Sequence, residues 1–327
     1  MAAVATSDTL IAAARDGDKR AVGRLISIVE NDQVAATGIL QAVYPDVDDA
    51  WVTGLTGAPG SGKSTLANLL IGEWRERGRR VAVLAVDPTS PFTGGALLGD
   101  RIRMQYGSAN GGVVVRSMAT RGWLGGLARA TERVATLCAG LGFNEVLIET
   151  VGVGQSEVDV AAAADTTVVV VTPGWGDGVQ VAKAGVMEIG DVFVVNKADR
   201  DGTNNTVRQL QEMLQLAADE AWRPPVVQTV ATAGSGAEDL LEALLAHRVA
   251  LDGRGEANRQ AARRVRDFRR AVLAGLEGVV APLLDSPVGV ELQADVGAGV
   301  RDPWSAAATL IERSRIAPAA DGYPEEQ

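Results

Sequence analysis

Gly57-Ala58-Pro59-Gly60-Ser61-Gly62-Lys63-Ser64-Thr65 is the stretch that decides the fold. It has the form G-x-x-x-x-G-K-S and lies between an apolar run, Val52 to Thr56, and a helix-forming run, Ser64 to Arg77. In that setting the glycines let successive backbone N–H groups wrap a phosphate chain that no Cβ would let approach, and the helix N-terminus adds its positive end. Lys63 is expected at the β- and γ-phosphates, and the Ser64 hydroxyl on Mg²⁺.

Working downstream, Asn196-Lys197-Ala198-Asp199 ends the apolar run Val192 to Val195. In an Asn-Lys-x-Asp site the Asp carboxylate takes the guanine N1–H and 2-amino group, a donor pair adenine lacks. A pocket built around such groups rejects the analogue without them. Ala231-Thr232-Ala233 follows the short run Val226 to Val230 and is expected to close over the base with backbone N–H groups, although a strand-to-helix turn calls for the same small residues. Between these motifs lies Ile148-Glu149-Thr150-Val151-Gly152. Its carboxylate suits Mg²⁺ or its waters, and the Gly152 N–H suits the γ-phosphate, which makes this loop a candidate switch. Asp87, after Val81 to Val86, is the other acid expected near the metal, a position where Asp also serves as a turn cap.

Lysine usage is an independent test. Of 31 Lys and Arg, four are Lys: Lys19, Lys63, Lys183 and Lys197. Two of these four fall inside the nucleotide motifs. A chain that otherwise writes Arg keeps Lys where a compact point charge is needed, which marks Lys183, in Gly174-Trp175-Gly176-Asp177-Gly178, Val179 to Lys183, as a further functional candidate.

The chain has 327 residues, 46% of them hydrophobic, enough for one large domain with accessories. A net charge of −10 argues against nucleic acid as the main partner. There is no apolar span of membrane length and no secretory leader pattern at the N-terminus, and Cys138 is the single cysteine. The expectation is a cytoplasmic protein without a membrane partner, in which Cys138 is a small core residue.

Residues 1–48 read as a helical segment, with Asp8 to Arg15 and Asp18 to Glu30 as helices and a turn at Pro45. Residues 49–250 alternate helices with apolar runs at 52–56, 81–86, 113–116, 145–148, 167–172, 192–195 and 226–230. Continuous apolar runs mean strands buried on both faces, so the expected fold is α/β, with a doubly wound, mostly parallel sheet. Ligands bind at the carboxyl ends of such strands, where every motif above falls. Residues 251–327 read as a C-terminal helical region. A long helix is expected from Glu256 to Leu284 with Val265, Phe268, Val272, Leu276 and Val279 as one apolar stripe, and a second helix is expected to start at Asp302-Pro303.

Taken in order and spacing, GAPGSGKST, DPTSPFTGGALLGDRIRM, SMATRGWLGG, IETVGVGQSE, GWGDGVQVAKAG and VNKAD resemble the MeaB/ArgK/MMAA family of methylmalonyl-CoA mutase-associated GTPases. The resemblance implies a P-loop GTPase that uses GTP and Mg²⁺. It further implies a chaperone that docks on an adenosylcobalamin-dependent acyl-CoA mutase, gates cofactor loading and protects the mutase from inactivation. It implies a homodimer joined through the C-terminal helices. Carried over by motif, Asp87 and Glu149 serve the metal, Asp100 lies in the first switch region, and Lys183 lies in a mobile switch that signals to the mutase. Trp123 departs from the small or polar residue, frequently His, that the family often has there.

Two other readings use the same phosphate loop. A nickel-insertion GTPase would need a metal-storing His and Cys cluster, and this chain has only His247 and Cys138. A small-molecule kinase would need a second substrate pocket, which no motif here defines.

Overall fold

The computed structural model describes residues 2–47, 50–87, 112–119, 126–150, 163–174, 186–217, 222–252 and 256–313. Seven parallel strands form one sheet: β1 (Trp51–Gly57), β2 (Val81–Asp87), β3 (Val113–Ala119), β4 (Glu145–Thr150), β5 (Thr166–Val171), β6 (Val192–Asn196) and β7 (Val226–Thr229). Their order is β3-β2-β4-β1-β5-β6-β7. β1 is therefore central, paired with β4 on one side and β5 on the other. Each apolar run expected to be a strand is one.

Eleven described helices accompany them: α1 (Ala2–Arg15), α2 (Lys19–Asn31), α3 (Gln33–Val43), α4 (Lys63–Glu76), α5 (Gly126–Gly140), α6 (Val186–Ile189), α7 (Thr203–Ala217), α8 (Ala237–Asp252), α9 (Glu256–Leu284), α10 (Pro287–Gly297) and α11 (Pro303–Arg313). Side chains alternate across the strands, so each strand feeds two cores. Ala82, Leu84 and Val86 of β2 pack with Val22, Leu25, Ile26 and Val29 of α2 and with Val134, Leu137 and Cys138 of α5. Val81, Val83 and Ala85, on the other face, join Leu66, Leu70 and Trp74 of α4 and Leu240 and Leu244 of α8. Val169 and Val171 of β5 and Phe193 and Val195 of β6 pack on Leu210 and Leu214 of α7. Burial pushes the Cys138 thiol up to about 12, so it is an inert core residue.

The N-terminal helices thus share a core with the sheet, and the first compact unit is Met1–Gln260. Arg15 and Arg80 fasten them. Arg15 donates to Gly140 O at the end of α5, and Arg80 donates to Leu141 O (3.1 Å) and to Arg15 O at the end of α1 (3.3 Å). Two helix C-termini with spare carbonyls are satisfied by two guanidiniums. Arg80 also lies over the Phe143 ring, 4.6 Å from its centroid.

The second unit is Ala261–Gln327. α9 has the expected bounds and α11 the expected start, where Asp302 caps by accepting from Ser305 N at 2.9 Å. α10 is an addition to the expected set, capped by Ser286, whose hydroxyl accepts from Gly289 N at 3.1 Å, with Pro287 in the first turn. No single described helix is long and apolar enough to cross a membrane.

Candidate functional site

β1 ends in the phosphate loop and α4 begins at Lys63. Two glycines there are sterically required. Gly57 has φ +141, and a Cβ on it would stand 2.1 Å from Val170 O; Gly62 has φ +94, and a Cβ on it would stand 2.3 Å from the Asn196 side-chain nitrogen. Pro59 and Gly60 are exposed at the crest, Ala58 and Thr65 are half-buried, and Ser61 is buried. The Ser61 hydroxyl is a buried polar atom with no hydrogen-bond partner among the described residues. A backbone cradle that a Cβ would fill, open at its crest and opening a helix, fits a phosphate chain.

Lys63 is buried, and its ammonium donates to Gly57 O at 2.7 Å and Ala58 O at 3.0 Å, inside the loop it would serve. The Ser64 hydroxyl donates to Glu149 Oε1 at 2.6 Å, across 85 residues of sequence. Register explains the meeting: Glu149 pairs with Leu55 of β1 on one side and with Ala85 of β2 on the other. Asp87 ends β2 one residue beyond the Val86–Thr150 pair, and its side chain lies outside the described residues. A hydroxyl and a buried carboxylate beside a phosphate cradle suit Mg²⁺, which is usually held by one or two protein oxygens together with phosphate and water. Among the described residues no three His, Cys, Asp or Glu side chains converge, so no all-protein metal cage competes with that arrangement.

The second motif meets the first. Asn196 donates to Ser61 O at 2.8 Å, and its amide oxygen accepts from the Thr229 hydroxyl (3.1 Å) and from Ala231 N (3.1 Å). One buried amide therefore ties phosphate loop, β6, β7 and the turn after β7 together. Lys197 has φ +59 and donates to Gly60 O at 2.7 Å. Asp199 is exposed at the same sheet edge, where its carboxylate takes no hydrogen bond from the described residues. The turn after β7 corrects one expectation in detail. Ala231 spends its N–H on Asn196, and Ala233 spends its own on Val230 O at 2.8 Å. Of the three residues expected to close over a base with backbone N–H groups, that leaves Thr232.

Lys63, Ser64, Glu149, Asn196, Lys197, Asp199 and Ala231 to Ala233 thus gather at the carboxyl edge of the sheet, and Asp87 ends there. Asp100, Gly152, Lys183 and Trp123 lie outside the described residues. Thr229 is a functional residue with no local signal in the sequence: it ends a strand, and its partner Asn196 lies 33 residues away.

The single histidine lies at the opposite edge. His247 is buried, with Nδ1 2.9 Å from the Thr166 hydroxyl and Nε2 3.4 Å from Asp191 Oδ1, and Trp51 donates to the same hydroxyl at 2.9 Å. These groups join the starts of β1 and β5 to α8 and to the residue before β6, which is a structural task.

Comparison with known proteins agrees with this geometry. The profile of the family described as methylmalonyl Co-A mutase-associated GTPase MeaB matches residues 22–280. A putative GTPase of Pyrococcus abyssi is 46% identical over 310 residues, covering 93% of this chain and 96% of that protein. The mouse mitochondrial methylmalonic aciduria type A homolog is 38% identical over 219 residues, covering 65% of this chain and 53% of that protein. The crystal structure of an LAO/AO transport system kinase shares the fold, with a TM-score of 0.69 at 24% identity, covering 94% of this chain and 97% of that one. A phosphate cradle tied by Asn196 to an Asn-Lys-x-Asp loop, in a chain matched by this profile over residues 22–280, has one assignment: the protein belongs to the MeaB family of methylmalonyl-CoA mutase-associated P-loop GTPases.

Proposed function

We propose that this GTPase is a chaperone of an adenosylcobalamin-dependent acyl-CoA mutase, methylmalonyl-CoA mutase first, and that its GTP cycle gates cofactor loading and protects the mutase from inactivation. The observation that supports a GTP-dependent signal is the Ser64–Glu149 contact at 2.6 Å. Glu149 is the last residue but one of β4, so a ligand held at Ser64 bears on the end of that strand, three residues before Gly152. The family description and the name of the mouse relative both point toward methylmalonyl-CoA metabolism.

In this reading the N–H groups of Gly60 and of Gly62 to Ser64 and the Lys63 ammonium hold the β- and γ-phosphates, and Asp199 takes the guanine edge. Ser64, Glu149 and Asp87 hold Mg²⁺, which when bound neutralises charge on the phosphate oxygens. Asp100, Gly152 and Lys183 belong to the switch segments that report to the mutase. Val153 follows Gly152 where the well-studied switch GTPases have a Gln that orients water, and a valine side chain neither donates nor accepts. The isolated chain therefore hydrolyses GTP slowly. Two copies join through the apolar stripe of α9, and the same reading puts the protein in the cytoplasm, where a lone buried thiol is at home.

Steady-state GTP hydrolysis, measured alone and with a cobalamin-dependent mutase, tests this. A slow basal rate raised tenfold or more by the mutase, together with capture of the mutase by the GTP-bound form, is expected. A fast basal rate indifferent to the mutase, without capture, would leave a GTPase and remove the chaperone.

A further inference from the structure

Asp199 sits in a turn whose backbone is gripped at every neighbouring peptide. Ala198 N donates to Thr229 O at 3.0 Å, and Arg200 N donates to Lys197 O at 3.0 Å. The carbonyls on either side of Asp199 are held by one group: the Thr203 hydroxyl donates to Ala198 O at 3.1 Å and to Arg200 O at 2.8 Å. Thr203 is buried, whereas Asp199 is exposed.

Thr203 is the first residue of α7, one position past Gly202, whose carbonyl accepts from Thr206 N at 3.0 Å, so its side chain is not the one placed to cap the helix. Here the hydroxyl points backward and gives its one hydrogen, shared, to two carbonyls of the preceding turn. Its work is therefore on the turn. The residue gripped from both sides is the one whose two carboxylate oxygens must meet two donors at once, and a bidentate contact tolerates little rotation of its backbone.

We propose that Thr203 is the positioning residue for guanine recognition. By holding the carbonyls before and after Asp199 it aims the carboxylate so that the base N1–H and 2-amino group are met together. The proposal rests on the reading of Asp199 as the guanine acceptor.

Inosine triphosphate lacks the 2-amino group, so the ratio of its Kd to that of GTP measures the aim of Asp199. For the wild type a ratio of about ten or more is expected, the worth of one hydrogen bond to a charged group. Thr203→Val keeps the shape and removes the hydroxyl. It should weaken GTP by roughly tenfold and inosine triphosphate far less, collapsing the ratio, while Thr203→Ser restores it. Calorimetric titration of full-length protein gives both constants, and a thermal midpoint near wild type shows the fold intact. Should Thr203→Val not fold, Thr203→Ala is read in the same way. A ratio unchanged in the variant overturns the role of Thr203 alone. A wild type that binds adenine and guanine nucleotides equally overturns the guanine reading along with it.

Discussion

Asn196 and Ser61 are 135 residues apart in sequence and 2.8 Å apart in space, the amide of one donating to the backbone carbonyl of the other. The same amide receives the Thr229 hydroxyl and the Ala231 N–H, so three partners lose their bond if it goes. Asn196→Ala should lower the thermal midpoint and weaken GTP and GDP alike, by roughly tenfold or more, because it releases the loop and touches no γ-phosphate contact. Calorimetry with both nucleotides checks this. A loss confined to GTP would mean that Asn196 acts through the switch.

Base choice should be reversible. The Asp199 carboxylate accepts twice from guanine, and Asp199→Asn replaces one acceptor with a donor, which suits the 2-oxo group of xanthine. The variant should lose GTP and gain xanthosine triphosphate, each by about an order of magnitude or more. Competition between the two nucleotides at one protein concentration reads the swap directly, and an unaltered preference would take Asp199 out of the base pocket.

The metal assignment stands on Ser64 and Glu149. Glu149→Gln keeps the size and removes the charge, so turnover should fall by about a hundredfold and need more Mg²⁺, while metal-free GDP binding changes little. Turnover followed against Mg²⁺ concentration gives both effects in one curve. Superimposable curves for variant and wild type would place the ion elsewhere.

Much of this site was legible because its parts are local. The strands are continuous apolar runs, since both faces are buried, and each motif is a short string at a strand end. The helix over Asp18 to Glu30 is legible in the sequence, but not that its Val22, Leu25, Ile26 and Val29 cover β2 and share one core with α5. α10 carries at Ser286-Pro287 the same cap-and-proline signal as Asp302-Pro303, but its eleven residues lack the clean apolar stripe that would mark a helix. Thr203 and Thr229 were illegible for a different reason. Their hydroxyls matter through partners that only the folded turn or sheet supplies.

The α9 stripe bears on assembly. Phe268 is 67% exposed, and Val265, Val272, Leu276 and Val279 are each 44–51% exposed along one helix. A row of large apolar side chains this long marks an interface more often than a free surface. Phe268→Glu places a charge in the middle of the stripe and should turn a dimer into a monomer without lowering nucleotide affinity. Light scattering after size-exclusion chromatography decides it, and a wild type that elutes as a monomer at every concentration would withdraw the proposed dimer.

Glu145 should give stability a pH dependence of its own. It begins β4, is buried, and lies 4.0 Å from Arg79. Burial raises its carboxyl from 4.5 to about 7, against the opposing pull of Arg248 and Arg79. The unfolded chain releases this proton near 4.5 and the folded chain holds it to about 7, so between those values the native state binds more protons. Its contribution is therefore fully present below the unfolded value and is lost as pH rises through about 7. The difference amounts to something on the order of 3 kcal/mol at most. Glu145→Gln, neutral at every pH, should keep its stability better between pH 5 and pH 8. Asp191, also raised by burial, is present in both proteins and so drops out of the comparison. Urea unfolding of both proteins across that range is the measurement: the wild-type curve should fall more steeply, and two parallel curves would show that Glu145 stays charged in the folded protein.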